Sequence, residues 1–170
     1  AKEVNGSARP VCQERAKRYM GVDIEQGEGV DVLADANHLT EHFGKDVFDI
    51  VISTEMVEHV YDWPNVLYEM LSVLKPGGLL LLTTRSIGFE IHGYPDDHWR
   101  YSKRDMKLIF QSVGEIIALS NDMTYGYPCG VGAAIQKKAK SDRLLQWKED
   151  LRKSYELYNV NISDRISWEK

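Results

Sequence analysis

Three histidines in the middle of the chain are the residues best suited to acid–base chemistry. His59 follows an apolar run, whereas His92 and His98 lie in a long polar and aromatic segment further along. Imidazole titrates near neutral pH, so each histidine is a candidate general base, with Asp96 and Asp97 as further candidates. A histidine at such a position is more often a structural hydrogen-bonding group, so both roles stay open.

A metal site is not predicted. His92, Asp96 and His98 are donors that suit several divalent ions, but nothing in the sequence fixes their coordination geometry. Cys12 and Cys129 lie far apart and lack the spacing of a zinc site or a disulfide framework. We therefore expect no metal ion, and the two separate thiols fit a reducing cytoplasm.

A strand–helix–strand unit between residues 48 and 84 supplies the elements that position these groups. Residues 48–52 form an apolar, β-branched run with the composition of a strand buried on both faces. Asp62 is a natural N-cap for the following helix, which a Lys-Pro-Gly-Gly turn at residues 75–78 ends ahead of a second buried strand. Two such strands joined by a helix form a right-handed parallel crossover.

The ends of these two strands carry a recognisable motif. Ligands of parallel sheets bind at the carboxyl ends of the strands, which places residues 53–55 and 83–85 at a site. The sequence DIVISTEMVEH, Asp49 to His59, followed by LKPGGLL, resembles class I S-adenosylmethionine-dependent methyltransferases of the broad type-11 group. The likeness spans about residues 19–119. It implies an α/β fold with a doubly wound, mostly parallel Rossmann-like sheet, an antiparallel last strand pair, and S-adenosylmethionine as cofactor.

The resemblance also implies which residues hold the cofactor. Asp23 ends the predicted second strand, where an acid accepts both ribose hydroxyls, as in dinucleotide-binding folds. By resemblance, Asp35 meets the adenine amino group and Ala36 lines the adenine pocket. The alternatives are that Asp23 is a turn residue and that Asp35 or Asn37 caps a helix predicted over residues 39–43. The predicted cofactor-binding residues are Asn5, Gly6, Asp23, Ile24, Asp35, Ala36, Ser53, Thr54 and Glu55.

The start of the chain departs from the family pattern. In this fold a central strand and a glycine-rich loop precede the first helix, and here the sequence begins inside that loop, with Asn5 and Gly6 in its last part. The residues before the first helix are too few and too polar for a central strand. We therefore predict a gap between the strands that end at Asp23 and Ser53, or a strand supplied there from elsewhere. The cofactor site is then incomplete at its methionine end.

Two further regions surround the predicted site. Residues 86–101 are long enough to act as a substrate lid that orders on binding, and the alternative is a surface loop pinned by Trp99 and Tyr101. We assign residues 1–140 to the methyltransferase domain and residues 141–170 to an amphipathic helix and tail. The helix has an apolar stripe that packs on its own domain or forms a homodimer contact: Leu144, Trp147, Leu151, Tyr155 and Tyr158.

Composition and motifs limit the function. A net charge of −5 argues against a general nucleic-acid binder, and no apolar run reaches the length of a membrane span. The resemblance implies transfer of a methyl group to a small-molecule or glycan-precursor acceptor. One alternative is a catalytically silent binding module of the same fold. The other is a nicotinamide-dependent oxidoreductase, because an acid after the second strand also serves that cofactor.

Overall fold

The computed structural model describes residues 8–92 and 96–157, with only the backbone described for residues 155–157. Short 3₁₀ turns at Ala36–His38 and Val57–His59 interrupt the connections between helices and strands. The elements, in chain order, are α1 (Arg9–Gln13), β1 (Val22–Asp23), β2 (Val32–Leu33), α2 (Leu39–Phe43), β3 (Phe48–Thr54), α3 (Trp63–Val73), β4 (Leu74–Arg85), α4 (Lys103–Phe110), β5 (Gly114–Asp122), β6 (Gly130–Lys137) and α5 (Ser141–Leu157).

The strands form a small parallel sheet and a larger sheet of mixed direction. Strands β1 and β2 pair in parallel over two residues each, so both are shorter than the runs predicted at residues 19–23 and 30–34. The larger sheet has the order β3-β4-β6-β5, in which β3 and β4 are parallel and the other two pairings are antiparallel. The predicted α/β class, the parallel crossover and the antiparallel last pair are therefore confirmed.

No strand among the described residues joins the two sheets. Strand β1 pairs with β2, and β3 pairs with β4 alone. The predicted gap between Asp23 and Ser53 is thus present in the described part of the chain. The prediction that β3 is buried on both faces was wrong, because Ile50 is 51% exposed. The described residues cover β3 on the β4 side but leave part of its surface open.

Local signals in the sequence set the crossover between β3 and β4. The Asp62 side chain accepts a hydrogen bond from the backbone N–H of Asn65 and so caps α3, as predicted. Pro64 stands in the first turn, where its missing N–H costs no helical bond. Helix α3 ends at Val73, and the predicted turn at residues 75–78 belongs to β4, where the φ of 77° at Gly77 is a backbone conformation that favours glycine.

The sequence Ser102-Lys-Arg-Asp105 predicts a capping box, and helix α4 begins with one. The Ser102 hydroxyl accepts from the backbone N–H of Asp105, while the Asp105 carboxylate accepts from the Ser102 N–H. The beginning of α1 differs from its prediction. We expected a helix from Ala8 to Arg18 capped by Ser7, but α1 ends at Gln13 and Ala8 offers no side-chain cap. Ser7 lies outside the described residues.

Helix α5 packs on the same core as the sheets. Leu144 and Trp147 are buried, and the indole N–H of Trp147 donates to the Ile109 carbonyl over 2.7 Å. The predicted packing of the apolar stripe on its own domain is confirmed for these two residues. The side chains of Tyr155 and Tyr158 lie outside the described part of the structure.

Within residues 8–92 and 96–157, no helix is both long and apolar enough to cross a bilayer.

Candidate active site

The carboxyl ends of β3 and β4 meet in a strained, charged turn. The backbone N–H of Glu55 donates to the Thr83 carbonyl over 2.9 Å, and Glu55 itself has a φ of 51°. Its carboxylate lies 2.6 Å from Nε of Arg85, whose guanidinium sits 3.9 Å above the ring of Phe89. A surface depression of about 260 Å³ opens beside this turn and is lined by Glu55, Thr83, Ser120, Asn121, Asp122, Gly130, Val131 and Gly132.

Glu58 is a carboxylate buried directly behind that turn. Its side chain is 0% exposed, and Oε2 accepts a hydrogen bond of 2.7 Å from the Thr84 hydroxyl. Oε1 is equally buried but has no hydrogen-bond partner among the described residues. Burial raises the pKa of Glu58, and the hydrogen bond from Thr84 offsets part of that rise.

Two of the three predicted catalytic histidines lie next to Glu58. Nε2 of His59 stands 4.0 Å from Glu58 Oε1, and the rings of His59 and His92 meet edge to face with centroids 4.8 Å apart. Nδ1 of His59 contacts the main-chain oxygen of Asp96, which only accepts hydrogen bonds. In the neutral ring the proton is therefore on Nδ1, and Nε2 carries the lone pair.

His92 is held by an acid of its own segment. Its backbone N–H donates to Asp97 Oδ2 over 2.9 Å, and its ring Nδ1 lies 2.9 Å from the same oxygen. Burial acts to raise the pKa of Asp97. The hydrogen bonds and charge of Arg100, together with the His92 N–H, outweigh that effect, and the pKa of Asp97 is lowered. Asp97 is thus a buried anion that holds the backbone of His92 and lies close to its ring.

Arg100 organises the segment from residue 86 to residue 101. Its guanidinium forms a bidentate ion pair with Asp97, in which Nη1 donates to Oδ1 and Nη2 donates to Oδ2 over 2.5 Å. The remaining N–H groups donate to the carbonyls of Phe89, Glu90 and Trp99 over 3.2, 2.9 and 2.8 Å. The described residues of this segment contain no helix or strand, and one buried side chain cross-links them from inside.

The same segment is also tied to the sheet. The backbone N–H of Tyr101 donates to the Arg85 carbonyl, and the Ser86 hydroxyl donates to the Tyr101 carbonyl over 2.7 Å. The indole N–H of Trp99 donates to the Val60 carbonyl over 2.9 Å. The alternative of a loop pinned by Trp99 and Tyr101 is confirmed, while its ordering on substrate binding stays a prediction.

The third histidine does not join the cluster. The His98 ring packs edge to face on Tyr61, with centroids 5.7 Å apart, and its backbone N–H donates to the Glu58 carbonyl. Asp96 has an exposed side chain and contributes only its main-chain oxygen. The trio His92, Asp96 and His98, considered above for a metal, is thus not brought together.

The predicted cofactor residues on β1 and β2 lie where those strands end. The Asp23 carboxylate accepts from the Glu25 N–H over 3.1 Å, as in a turn, and Ile24 beside it is exposed. Asp35 caps the 3₁₀ turn that contains Ala36 by accepting from the Asn37 N–H over 2.8 Å. Asp35 thus caps the 3₁₀ turn and not helix α2, for which the cap was predicted and which begins without a side-chain cap. The ligand roles of these residues stay predictions.

The remaining predicted cofactor residues differ in their placement. Ser53 is buried and its hydroxyl has no hydrogen-bond partner in the described structure, whereas Thr54 is exposed. The carboxylate of Glu55 forms an ion pair with Arg85. Asn5 and Gly6 lie outside the described residues.

Comparison with known proteins identifies the family of this chain. A family model described as a methyltransferase domain matches residues 5–159. The chain belongs to this family. It is a class I S-adenosylmethionine-dependent methyltransferase domain, as the motif resemblance implied, and the nicotinamide-dependent alternative falls away.

Similar proteins share parts of this methyltransferase domain. The ubiquinone biosynthesis O-methyltransferase of Parvibaculum lavamentivorans is 31% identical over 70 residues, which is 41% of this chain and 27% of that protein. The chain thus matches about a quarter of that relative's length.

Solved structures share the fold. One is the 1,6-didemethyltoxoflavin-N1-methyltransferase of Burkholderia thailandensis, solved with 1,6-didemethyltoxoflavin and S-adenosylhomocysteine bound. It superposes with a TM-score of 0.60 at 11% identity, over 76% of this chain and 65% of that one. An S-adenosylmethionine-dependent methyltransferase of Mesorhizobium loti gives 0.56 at 16% identity, over 76% and 84%. At these identities the likeness concerns the fold alone.

Sequence reasoning missed several residues of this methyltransferase site. Glu58 was seen as part of the motif but not as a buried acid, although it stands between apolar Val57 and Val60 on a turn that must pack. Asp97 is predicted as a candidate base, but its ion pair with Arg100, three residues further along, is not. The role of Thr84 had no local signal, because its partner comes from another element.

Proposed function

We propose that this domain transfers the methyl group of S-adenosylmethionine to a small-molecule or glycan-precursor acceptor by in-line displacement. Beside membership of the family, the proposal depends on the position of three acidic residues. Acidic residues stand at or just beyond the carboxyl ends of the parallel strands β1, β2 and β3, namely Asp23, Asp35 and Glu55. Ligands of such sheets bind at that edge, and carboxylates there suit the hydroxyl and amino groups of a nucleoside.

In-line methyl transfer requires mainly that the protein align the cofactor with the acceptor. A lone pair on the acceptor atom attacks the methyl carbon, the carbon–sulfur bond breaks, and neutral S-adenosylhomocysteine leaves. The acceptor gives up its proton in the same step or before it. Holding the two reactants in line in a water-poor site accounts for most of the catalysis.

The cluster formed by Glu58, His59 and His92 supports an assignment of the acceptor side. It lies beside the carboxyl ends of β3 and β4 and offers a carboxylate oxygen and imidazole lone pairs within 4.8 Å of one another. These atoms are able to orient an acceptor and to take its proton. His98 is set apart from them and is the least favoured of the three predicted catalytic histidines.

The proposal is tested by turnover. The protein is incubated with S-adenosylmethionine carrying an isotopic methyl label and with panels of phenols, amines and sugar nucleotides, and S-adenosylhomocysteine is quantified. The Parvibaculum protein is named as an O-methyltransferase and the Burkholderia protein as an N1-methyltransferase, so oxygen and nitrogen acceptors both belong in the panel. We expect S-adenosylhomocysteine and labelled acceptor in equal amounts. Cofactor binding without turnover across the panels would favour the silent binding module.

We also propose that a strand from outside the described residues completes a doubly wound sheet between β1 and β3. The separation of the two sheets supports this, since no strand of the described residues joins β1 to β3. Isothermal titration with S-adenosylmethionine, on this chain and on a chain extended upstream, is the test. Tighter binding by the longer chain is expected, and equal binding would contradict the proposal.

Asp23→Ala is expected to weaken S-adenosylmethionine binding by about 1.5–3 kcal/mol, the range for hydrogen bonds to a charged group. Asp35→Ala should cost less, because only one amino group is involved. Isothermal titration measures both, with Glu28→Ala as an exposed acidic control in the loop after β1. Unchanged affinity in a folded Asp23→Ala protein would remove that assignment, and a larger loss for Asp35→Ala would reverse the ranking.

A further inference from the structure

The cluster of Glu58, His59 and His92 has the composition of a metal site. Each residue offers one ligand atom, and the three atoms lie within 4.8 Å of one another. Two residues come from the 3₁₀ turn after β3 and the third from the segment after β4. One carboxylate with two imidazoles is a common ligand set for zinc in proteins.

The surroundings of His59 match those of a metal ligand. Histidines that bind metals almost always donate their other ring N–H to a carbonyl or a carboxylate, which fixes the tautomer and the ring orientation. His59 has the main-chain oxygen of Asp96 at Nδ1, which keeps the lone pair of Nε2 available. The Nδ1 atom of His92 lies 2.9 Å from the Asp97 carboxylate but makes no hydrogen bond within the described structure, so either ring nitrogen of His92 is a candidate ligand atom.

Glu58 supplies an independent observation. Its side chain is 0% exposed, and Oε1 has no hydrogen-bond partner within the described structure. A buried carboxylate oxygen without a partner is costly, and a cation would satisfy it. The two neighbouring arginines form ion pairs with other carboxylates, Arg85 with Glu55 and Arg100 with Asp97.

We propose that Glu58 Oε1, His59 Nε2 and one ring nitrogen of His92 bind one divalent transition-metal ion. Zn²⁺ fits this set best, because it accepts mixed nitrogen and oxygen ligands, whereas Mg²⁺ and Ca²⁺ prefer oxygen alone. Three protein ligands leave the fourth tetrahedral position open. The proposal replaces the expectation from sequence that the chain has no metal site.

Binding requires a small contraction of the cluster. Bonds of about 2.0–2.2 Å in a tetrahedron place ligand atoms about 3.4 Å apart. Nε2 of His59 and Oε1 of Glu58 are now 4.0 Å apart, so side-chain rotations are enough to close that pair. Because His92 belongs to the segment after β4, the ion would clamp that segment onto the turn after β3.

The role of the ion, unlike its binding, rests on the proposed methyl transfer. An oxygen acceptor bound at the open position would lose its proton more easily. A metal-binding measurement without cofactor or acceptor keeps the two proposals separate.

The test uses the metal-stripped protein and Co²⁺, whose visible absorption reports tetrahedral nitrogen and oxygen ligands, with Zn²⁺ as competitor. We expect one equivalent to bind and Zn²⁺ to displace it. His92→Ala should weaken binding by more than about 100-fold, beyond the 10–100-fold typical of changes outside the ligand set. Glu58→Gln should weaken it strongly as well. His98→Ala, in the same segment but outside the cluster, should bind within about twofold of the parent, because it removes no ligand.

Several results would overturn the site. They are the absence of one-to-one binding, an unchanged affinity in His92→Ala, and an equal loss in His98→Ala. If Glu58→Gln does not fold, His92→Ala decides the matter, because the His92 side chain is 39% exposed and tolerates truncation. Intact metal binding without methyl transfer would count against the proposed function and leave the metal site standing.

Discussion

Arg100→Ala is expected to lower the free energy of unfolding by about 3–5 kcal/mol, the cost of breaking a buried ion pair from one side. The Arg100 side chain is 2% exposed and that of Asp97 is 0% exposed. The substitution leaves the Asp97 carboxylate buried without its cation and leaves three backbone carbonyls without their donor. Urea denaturation followed by circular dichroism measures the change.

A second arginine in the same protein is the control. Arg152 also forks onto a carboxylate, with Nη2 donating to Asp62 Oδ2 over 2.5 Å, but the two side chains are 35% and 41% exposed. Arg152→Ala should therefore cost about 1 kcal/mol or less. Equal costs for the two arginines would show that burial does not determine the strength of the Arg100 pair.

Trp147→Ala is expected to cost about 3–5 kcal/mol of unfolding free energy, the range for removing a large buried aromatic side chain. Trp147 is 4% exposed, its ring centroid lies 6.1 Å from that of Phe110, and its N–H is bonded to the Ile109 carbonyl. Leu145→Ala, on the outer face of the same helix, should change stability by less than about 0.5 kcal/mol. Thermal or urea unfolding of the three proteins provides the comparison.

The same pair of variants separates domain packing from a homodimer contact. If α5 stabilises its own domain, Trp147→Ala lowers stability without changing the molecular mass in solution. A shift from dimer to monomer at unchanged stability would instead favour the interface. Light scattering beside the unfolding curves distinguishes these outcomes.

Elements controlled by nearby residues were predictable from the sequence. Helix α2 has the bounds expected for it, and Asp62 and the Ser102–Asp105 box cap their helices as predicted. Each of these signals acts over three or four residues, so no knowledge of the distant chain is needed. The parallel crossover followed from the same logic, since its strands and helix are consecutive.

Properties that depend on distant partners were not predictable. The exposure of Ile50 depends on what covers β3, and its own apolar sequence carries no information about that cover. His92 meets Glu58 only because Arg100 folds the intervening segment back on itself. The sequence contains both residues, but periodicity does not encode the path of an irregular loop.

The left-handed backbone at Glu55 has a consequence for how stability and function are balanced. A side chain at a φ of 51° costs about 1–2 kcal/mol relative to an ordinary conformation, a cost that glycine would avoid. The glutamate keeps this conformation while its carboxylate holds Arg85 and its N–H holds the Thr83 carbonyl. Local strain of this kind persists where the surrounding contacts over-determine the backbone. The end of β3 is therefore a place where the molecule gives up stability in order to aim a charged side chain, and selection for stability alone would favour its loss.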